Sequence, residues 1–348
     1  MNVPYINTSF LRGFSSLVLA KSGNLSELYE SVGLDKELFI EESLQRVSLK
    51  SLLIPFDKFI YLLEAAAVKL DFPDIAMQLA RQQDIMILAP VGPKLNRCST
   101  VLEALEIIIK YLKLLVSGYQ IELQTQHDSL TLTFSLDLPH VQEMIQYQDY
   151  AVASAVSVLH ELLGKSHPIR ACYFLRSERN QKRISEYSNY FGCPVTFNSR
   201  TLSLAVDSSM LQQDIGPLVK QINAKINHAL MSYSEGIVDQ VTKVISFSLA
   251  NGNSNIKDIA SSMNYSQRTL QRKLSQQNTS YSALLDSVRF NLANQYLTNT
   301  YYRLTDIAAL LDYSDLSSFS RSYYRWCGIY PLEYRKQLQL SLLRFTSH

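Results

Sequence analysis

A short pattern of apolar and polar residues occurs twice between residues 256 and 335 of the 348-residue sequence. Each copy opens with apolar residues at positions i, i+3, i+4 and i+7, which is the spacing of an amphipathic helix. These residues are Ile256, Ile259, Ala260 and Met263 in the first copy, and Leu304, Ile307, Ala308 and Leu311 in the second. A second helical segment follows each after a few polar residues. Two short helices joined by a turn form a helix-turn-helix, whose second helix lies in the DNA major groove.

The residues between the two helices of each copy suit a tight turn and a helix start. Asn264 and Asp312 belong to the few residue types that tolerate the left-handed backbone conformation. Ser266 and Ser314 follow two residues later. We expect their hydroxyl groups to accept hydrogen bonds from the first N–H groups of the next helix. The sequence therefore predicts the same turn and the same cap in both copies.

The second helix of each copy carries polar and cationic residues, as a DNA-reading helix must. The predicted DNA contacts are Ser266, Arg268, Thr269, Gln271 and Arg272 in the first copy, and Asp315, Ser317, Ser318, Ser320 and Arg321 in the second. Arg272 and Arg321 occupy the same position when Leu270 is aligned with Phe319. Arginine donates two hydrogen bonds to guanine and glutamine suits adenine, so we expect base contacts from both arginines and from Gln271.

Several of these residues also have a purely structural interpretation. Polar residues of a surface helix often face only solvent, and the match between the two copies is what favours DNA contact for the arginines. A phosphate backbone would repel Asp315, so we expect this residue chiefly in the first turn of its helix, where the helix dipole favours a carboxylate. Base contact by Asp315 is the alternative. We expect Tyr323, Tyr324 and Trp326 in the small core of the second copy rather than stacked on bases.

One helical segment separates the two copies. Its apolar residues at helical spacing are Tyr281, Leu284, Leu285, Val288, Leu292, Ala293, Tyr296 and Leu297. About seventeen residues at 1.5 Å per residue correspond to roughly 25 Å of helix. We expect this spacer to hold two reading helices on one face of DNA, near its repeat of roughly 34 Å.

The doubled motif resembles the DNA-binding domain of the AraC/XylS transcriptional regulators, with the same order of two helix-turn-helix units and a linking helix. The most specific residues are Asp306-Ile307-Ala308, Tyr313-Ser314-Asp315, Phe319-Ser320-Arg321, Tyr324, Trp326 and the run from Gly328 to Arg335. Asp312 departs from the family pattern, which usually has glycine there. The resemblance implies a regulator that binds double-stranded promoter DNA and contacts RNA polymerase.

The distribution of charge agrees with a nucleic-acid partner at the C-terminal end. The stretch from residue 240 onward holds 12 Lys and Arg against 6 Asp and Glu, whereas the rest of the chain holds 21 against 25. The basic part therefore coincides with the doubled motif, as expected for a DNA-binding domain. A hydrophobic content of 47% and a charged content of 18% favour folded domains over disorder.

The N-terminal part predicts an α+β domain, because helical and alternating periods are interleaved along it. The predicted helices are 14–20, 57–69, 75–81, 100–117, 141–163 and 179–190, and the predicted strands are 121–125, 130–136, 169–175, 194–197 and 202–206. The two strands around His127 form a predicted hairpin.

The N-terminal part also resembles the sensor domain labelled arabinose-binding-type in one AraC/XylS subgroup. The residues that carry the resemblance are Ala89 to Pro93, Ser99 to Leu105, Lys110 to Leu112 and Tyr190 to Asn198. It implies effector sensing and dimerisation. The ligand does not follow from the label, because one fold hosts many ligands.

These observations divide the chain into four segments: an effector-sensing and dimerisation domain of α+β class at 1–215, a helical connector and linker at 216–255, an all-α double helix-turn-helix domain at 256–335, and a tail at 336–348. The connector carries an apolar helical stripe from Ile222 to Ile245. The stripe predicts either a dimer contact, giving a homodimer, or simply core.

The sequence contains no pattern that predicts catalysis. His160-Glu161 begins a zinc-protease motif, but Gly164 stands where the second histidine is required. Glycine-rich nucleotide-binding motifs are absent, so we expect no enzyme activity, no cofactor and no metal site. The cysteines Cys98, Cys172, Cys193 and Cys327 form no C-x-x-C pair and are expected to be reduced. No apolar run is long enough to predict a membrane span.

The sequence therefore predicts a cytoplasmic, nucleoid-associated transcription factor that responds to a small molecule. An alternative is a DNA-binding regulator whose N-terminal domain only oligomerises or binds a protein partner. A pocket lined by a few convergent polar groups in that domain would favour the first function, and a filled core the second.

Overall fold

The computed structural model describes residues 4–34, 53–83, 95, 98–112, 115–126, 128–163, 169–217, 219, 221, 236–249, 254–263, 265–298 and 303–337. The chain forms two compact units, which divide near residue 222. The first unit is mixed α and β, and the described part of the second is helical. This confirms the predicted fold classes.

A small antiparallel sheet and a larger mixed sheet form the described β part of the N-terminal unit. The small sheet pairs β1 (Tyr5–Asn7) with β2 (Leu53–Pro55). The larger sheet has the order β3-β4-β7-β5-β6, and only the pair β5 and β6 is parallel. Its strands are β3 (Tyr119–Gln126), β4 (Ser129–Leu136), β5 (Ile169–Tyr173), β6 (Val195–Thr196) and β7 (Leu202–Asp207).

The helices of this unit are α1 (Phe14–Ala20), α2 (Leu25–Ser31), α3 (Phe56–Lys69), α4 (Ile75–Gln82), α5 (Val101–Leu112), α6 (Pro139–Gln142), α7 (Ile145–Leu163) and α8 (Gln181–Phe191). Most predicted elements are confirmed with small shifts of their ends. The short sheet β1–β2 and helix α2 were not predicted, because each is too short to show a clear period. The predicted helix 100–117 ends earlier, at Leu112. Residues 89–93, which contribute to the family resemblance, lie outside the described residues.

The predicted helix 141–163 is wrong at its start, where α6 and α7 are separate helices. Tertiary hydrogen bonds support the new start of α7. The Gln146 backbone N–H donates to Glu64 Oε1 of α3 at 2.9 Å. The buried Gln146 side chain in turn accepts from the Ala76 backbone N–H at 3.1 Å and donates to Pro73 O at 2.9 Å. Helix starts need such partners for their N–H groups, and here they come from distant residues that periodicity cannot reveal.

A buried ion pair joins α7 to the segment after β5. Arg176 Nη2 lies 2.6 Å from Asp149 Oδ1, and the Asp149 side chain is fully buried. Tyr187 Oη donates to Asp149 Oδ2 at 2.6 Å. The Arg176 guanidinium lies over the rings of Phe174 and Phe197, at 4.7 and 5.2 Å from their centres. Desolvation raises the pKa of Asp149 above its ordinary value, and Arg176 opposes that rise.

The helices of the C-terminal unit are α9 (Ile237–Leu249), α10 (Ile256–Ser262), α11 (Gln267–Ser275), α12 (Tyr281–Thr298), α13 (Leu304–Leu310), α14 (Leu316–Cys327) and α15 (residues 331–337). Helices α10 and α11 form the first predicted helix-turn-helix, α13 and α14 the second, and α12 is the predicted spacer. Within the described part of the chain, no helix combines the length and hydropathy that crossing a membrane requires.

Part of the predicted connector packs in the C-terminal unit. Val241, Ile245 and Leu249 of α9 are buried in one cluster with residues of α10, α11 and α12. For these positions the apolar stripe is therefore core. Its first half, and the loop residues 250–253, lie outside the described residues.

We expect Arg176→Ala to lower the free energy of unfolding by about 3–5 kcal/mol, because it leaves the Asp149 carboxylate buried without its ion partner. The pKa of Asp149 should rise further in this variant. A raised pKa favours the protonated folded state, so part of the lost stability should return at mildly acidic pH and disappear again as pH rises. Urea unfolding at several pH values measures this effect.

The control is Arg170→Ala, which removes a more exposed arginine paired with Asp128 and Asp207. An exposed ion pair contributes less than about 1 kcal/mol. Equal losses in the two variants, or a loss that does not depend on pH in Arg176→Ala, would contradict the assigned role of the buried pair.

Candidate nucleic-acid interface

The two second helices, α11 and α14, begin in the same way but with different caps. Ser266 Oγ accepts a hydrogen bond from the Thr269 backbone N–H at 3.2 Å, which confirms the predicted cap of α11. In α14 the cap is Asp315, whose Oδ1 accepts from the Ser318 N–H at 2.7 Å. The predicted Ser314 cap is therefore wrong. The second turn is one residue longer than the first, which moves the cap from Ser314 to its neighbour.

Both helices bury the same two positions. The fourth and eighth residues are fully buried in each, Leu270 and Leu274 in α11, and Phe319 and Tyr323 in α14. This spacing of four places both anchors on one face of a helix. The opposite faces are therefore left for solvent or a ligand.

The predicted contact residues of α11 lie mainly on this free face. Ser266, Arg268, Gln271 and Arg272 are exposed, whereas Thr269 is half-buried. The Ser266 and Thr269 hydroxyl oxygens are 2.8 Å apart and share a hydrogen bond. The guanidinium groups of Arg268 and Arg272 lie one helical turn apart, and the amide of Gln271 is exposed beside them.

The predicted contact residues of α14 have a similar arrangement with a lower charge. Asp315, Ser317 and Arg321 are exposed, and Ser318 and Ser320 are half-buried. Arg321 Nη2 donates to Ser318 Oγ at 3.2 Å, and Ser318 Oγ donates to Asp315 Oδ2 at 2.9 Å. Arg321 and Arg272 are each the sixth residue of their helix, so the predicted correspondence holds in the folded structure.

Asp315 is engaged by three donors at the start of α14. The Ser318 N–H and the hydroxyls of Ser314 and Ser318 donate to its carboxylate, and these hydrogen bonds lower the pKa of Asp315 below its usual value. The expectation that Asp315 serves the start of its helix is confirmed, although as the cap rather than within the first turn. Base contact by Asp315 stays a prediction.

The turn of the second helix-turn-helix contains the predicted residue in the left-handed backbone conformation. Asp312 has φ +60°, the conformation that glycine adopts most easily. Its carboxylate also serves as an acceptor, because Ser254 N and Ser254 Oγ donate to Asp312 Oδ2 at 3.2 and 2.5 Å. A glycine there would lack this contact with Ser254, two residues before α10. Asn264 of the first turn lies outside the described residues.

Arg289 of the spacer helix α12 connects the two helix-turn-helix units, a role that the sequence alone did not predict. Its Nε donates to Leu311 O at 2.9 Å, and its Nη2 donates to Asp312 O at 3.1 Å and to Ser254 Oγ at 3.2 Å. Its guanidinium lies 4.5 Å from the centre of the Tyr313 ring. Two carbonyl groups after α13 are thereby satisfied by a cation, which also favours a helix C-terminus. The role could not be predicted from the sequence, because a single charged residue within an apolar helical stripe does not indicate which groups it contacts.

The aromatic residues of α14 divide into core and surface. Tyr323 is fully buried, and its Oη donates to Asn294 Oδ1 at 2.6 Å. Trp326 packs edge-on against Phe290 of α12, with ring centres 5.9 Å apart. The prediction of core positions is confirmed for these two residues. It is wrong for Tyr324, which is 48% exposed and stacks on Tyr330 at 4.7 Å.

We expect Arg289→Ala to lower the free energy of unfolding of the C-terminal unit by about 2–4 kcal/mol. The Arg289 side chain is only 14% exposed, so its loss leaves buried acceptors without donors. Arg325→Ala is the matched control. Arg325 pairs with Asp286 from a 64% exposed position, and a loss below about 1 kcal/mol is expected. Urea unfolding checks both values, and similar losses would rule out a special role for Arg289.

Two family models match the chain. A model described as the arabinose-binding domain of AraC transcription regulator, N-terminal, matches residues 26–215. A model described as a helix-turn-helix domain matches residues 259–337. The second match contains both helix-turn-helix units and the spacer α12.

Curated relatives match over most of the chain. The HTH-type transcriptional regulator VirS of Mycobacterium tuberculosis is 27% identical over 283 residues, which is 80% of this chain and 83% of the relative. The ornithine utilization regulator of Pseudomonas aeruginosa is 24% identical over 271 residues, 76% of this chain and 79% of the relative. A crystal structure of the transcriptional regulator CdpR from Pseudomonas aeruginosa is 20% identical, covers 90% of this chain and 96% of that chain, and has a TM-score of 0.38.

Proposed function

Because the chain belongs to the AraC family of DNA-binding transcription regulators, we propose that α11 and α14 read successive major-groove segments of promoter DNA under the control of a small molecule. The small molecule binds the N-terminal unit in this proposal. The observation that carries the DNA-reading part is the matched position of Arg272 and Arg321, each the exposed sixth residue of a helix held by two buried anchors.

The proposed base contacts come from exposed residues of α11 and α14. Arg272 and Arg321 suit guanine, because a guanidinium donates to both O6 and N7, and Gln271 suits adenine. Arg268 lies one turn before Arg272 on the exposed face of α11, where it contacts either a base or a phosphate. Ser317, Ser318 and Ser320 contact phosphates or bases through their hydroxyls.

The caps of the two helices also affect how DNA phosphates would be bound. Ser266 and Asp315 close the N-terminal ends of α11 and α14, and a helix N-terminus attracts phosphate. Ser266 is neutral, whereas the lowered pKa of Asp315 keeps its carboxylate ionised. The second helix-turn-helix therefore attracts phosphate more weakly than the first, and its binding to DNA depends more on Arg321.

The proposed control by an effector rests on a pocket in the N-terminal unit. The pocket lies between α5, α7 and β3, and part of it is open to solvent. Small-molecule sites are commonly concave and mainly apolar, with a few polar groups in their walls. This observation favours an effector site over the alternative, in which the unit only oligomerises or binds a protein partner around a filled core.

Regulation in this proposal follows from two arrangements of the regulator that differ in their affinity for DNA. An effector shifts their populations only if it binds one arrangement more tightly than the other. Contact with RNA polymerase and formation of a homodimer are parts of the same proposal. The protein is proposed to act by binding alone, without catalysis.

We expect Arg272→Ala and Arg321→Ala each to weaken specific DNA binding by about 1–3 kcal/mol, which is the contribution of one bidentate arginine–guanine contact. Gel retardation of fragments from the upstream region of the protein's own gene, at several salt concentrations, measures the change. The affinity of the parent should fall as salt rises, because bound phosphates release counterions. Each variant should lose sequence preference only in the DNA segment that the replaced arginine contacts.

Arg170→Ala is the charge-matched control, because it removes one arginine of the N-terminal unit. It should retard the specific fragment as the parent does. Unchanged affinity in both Arg272→Ala and Arg321→Ala, or a parent without sequence preference, would reject the proposed reading helices.

A further inference from the structure

The pocket of the N-terminal unit is shaped by small residues on one face of α7. Ala151, Ser154, Ala155 and Val158 line it and follow one another at helical spacing. The opposite wall consists of larger aliphatic residues of α5, among them Ile108 and Leu112. Small side chains on one wall leave space that larger ones would fill.

The lining of this pocket is almost entirely apolar. Among the described residues that line it, none carries a charge, and the polar side-chain atoms are the hydroxyls of Ser154 and three tyrosines. One of these, Tyr150 Oη, already donates to Gln83 Oε1 at 2.6 Å. A sugar needs several donors and acceptors around its ring, and an ionised ligand needs an opposite charge. The described wall offers no charged group, and its four hydroxyls are fewer polar groups than a sugar ring requires.

Two hydroxyls of the wall, Tyr147 Oη and Ser154 Oγ, are buried without a hydrogen-bond partner among the described residues, and Tyr147 is the more deeply buried residue. Its side chain is 1% exposed, and its hydroxyl has no hydrogen-bond partner among the described residues. Burial raises the pKa of Tyr147, so the hydroxyl stays protonated as a donor. A buried hydroxyl without a partner is costly. A water molecule would satisfy it poorly, because a stable buried water needs two to four polar partners.

We propose that this pocket takes an uncharged, mainly apolar molecule with a single hydrogen-bonding group that pairs with Tyr147, rather than a sugar. This deepens the proposed function, since it names the chemical class of the effector on which that function depends. The rings of Phe56 and Tyr119 lie beside Tyr147 in the wall and provide apolar contact area for such a molecule.

Displacement of the neutral fluorophore N-phenylnaphthylamine from the full-length protein tests the ligand class. The competitors are octanol, octane, octanoate and L-arabinose. We expect octanol to displace the fluorophore most strongly and octanoate more weakly, because the wall offers no cation. L-Arabinose should not displace it. Displacement by L-arabinose, or failure of octanol, would overturn the proposal.

Three variants connect the binding to the pocket. Tyr147→Phe should weaken octanol binding roughly threefold to tenfold, the effect of one hydrogen bond, and should leave octane binding unchanged. Ala155→Phe should abolish binding of the fluorophore by filling the space. Tyr61→Phe is the control, because Tyr61 is a half-buried tyrosine that does not line the pocket. An equal effect of Tyr147→Phe on octanol and octane would reject the proposed hydrogen bond.

Gel retardation with and without octanol separates this inference from the proposed function. A change in DNA affinity that Tyr147→Phe reduces supports both. If octanol binds as expected but leaves DNA affinity unchanged, the ligand class stands and effector control is wrong. If Ala155→Phe stabilises the fold and leaves fluorophore binding unchanged, the pocket is only a packing defect and the inference fails.

Discussion

The C-terminal unit depends on one arginine that makes contacts in three directions. From the middle of α12, Arg289 donates to two carbonyl groups after α13 and to the hydroxyl of Ser254 before α10. Asp312 completes the connection by accepting from Ser254. The end of one helix-turn-helix unit and the beginning of the other are thus held on the same spacer. The proposed reading of two DNA segments requires a fixed separation of α11 and α14, and this network contributes to fixing it.

Apolar packing on two sides of α12 completes that arrangement. Val288 belongs to the cluster that contains the anchors of α11, whereas Phe290 contacts Tyr323, an anchor of α14. Each reading helix buries only its fourth and eighth residues, so the remaining positions carry polar groups at little cost to the core. The spacer is therefore apolar on more than one face, as expected for a helix that is packed from two sides.

In the N-terminal unit, hydrogen bonds of buried polar groups hold α7 in place, and the pocket beside this helix is mainly apolar. Gln146 and the pair of Asp149 and Arg176 fix α7 to its neighbours through hydrogen bonds. The same helix presents small residues such as Ala151 and Ala155 toward the pocket. In the proposed function, a ligand that enters this space would contact a helix that is already tied to several neighbouring elements.

The sequence by itself determined the two helix-turn-helix units, their spacer, most elements of the sheet and the matched positions of Arg272 and Arg321. These follow from periods of 3.6 and 2 residues, which any helix or strand with one buried face must show. The structure decided that Asp315 rather than its neighbour Ser314 caps α14, although the hydrogen bonds of this cap are local. Only the tertiary structure decided that α7 begins at Ile145 and that Arg289 connects the two helix-turn-helix units, because both depend on hydrogen bonds between distant residues. Partners 23 residues apart, such as Arg289 and Asp312, or 82 apart, such as Glu64 and Gln146, meet only when the chain is folded.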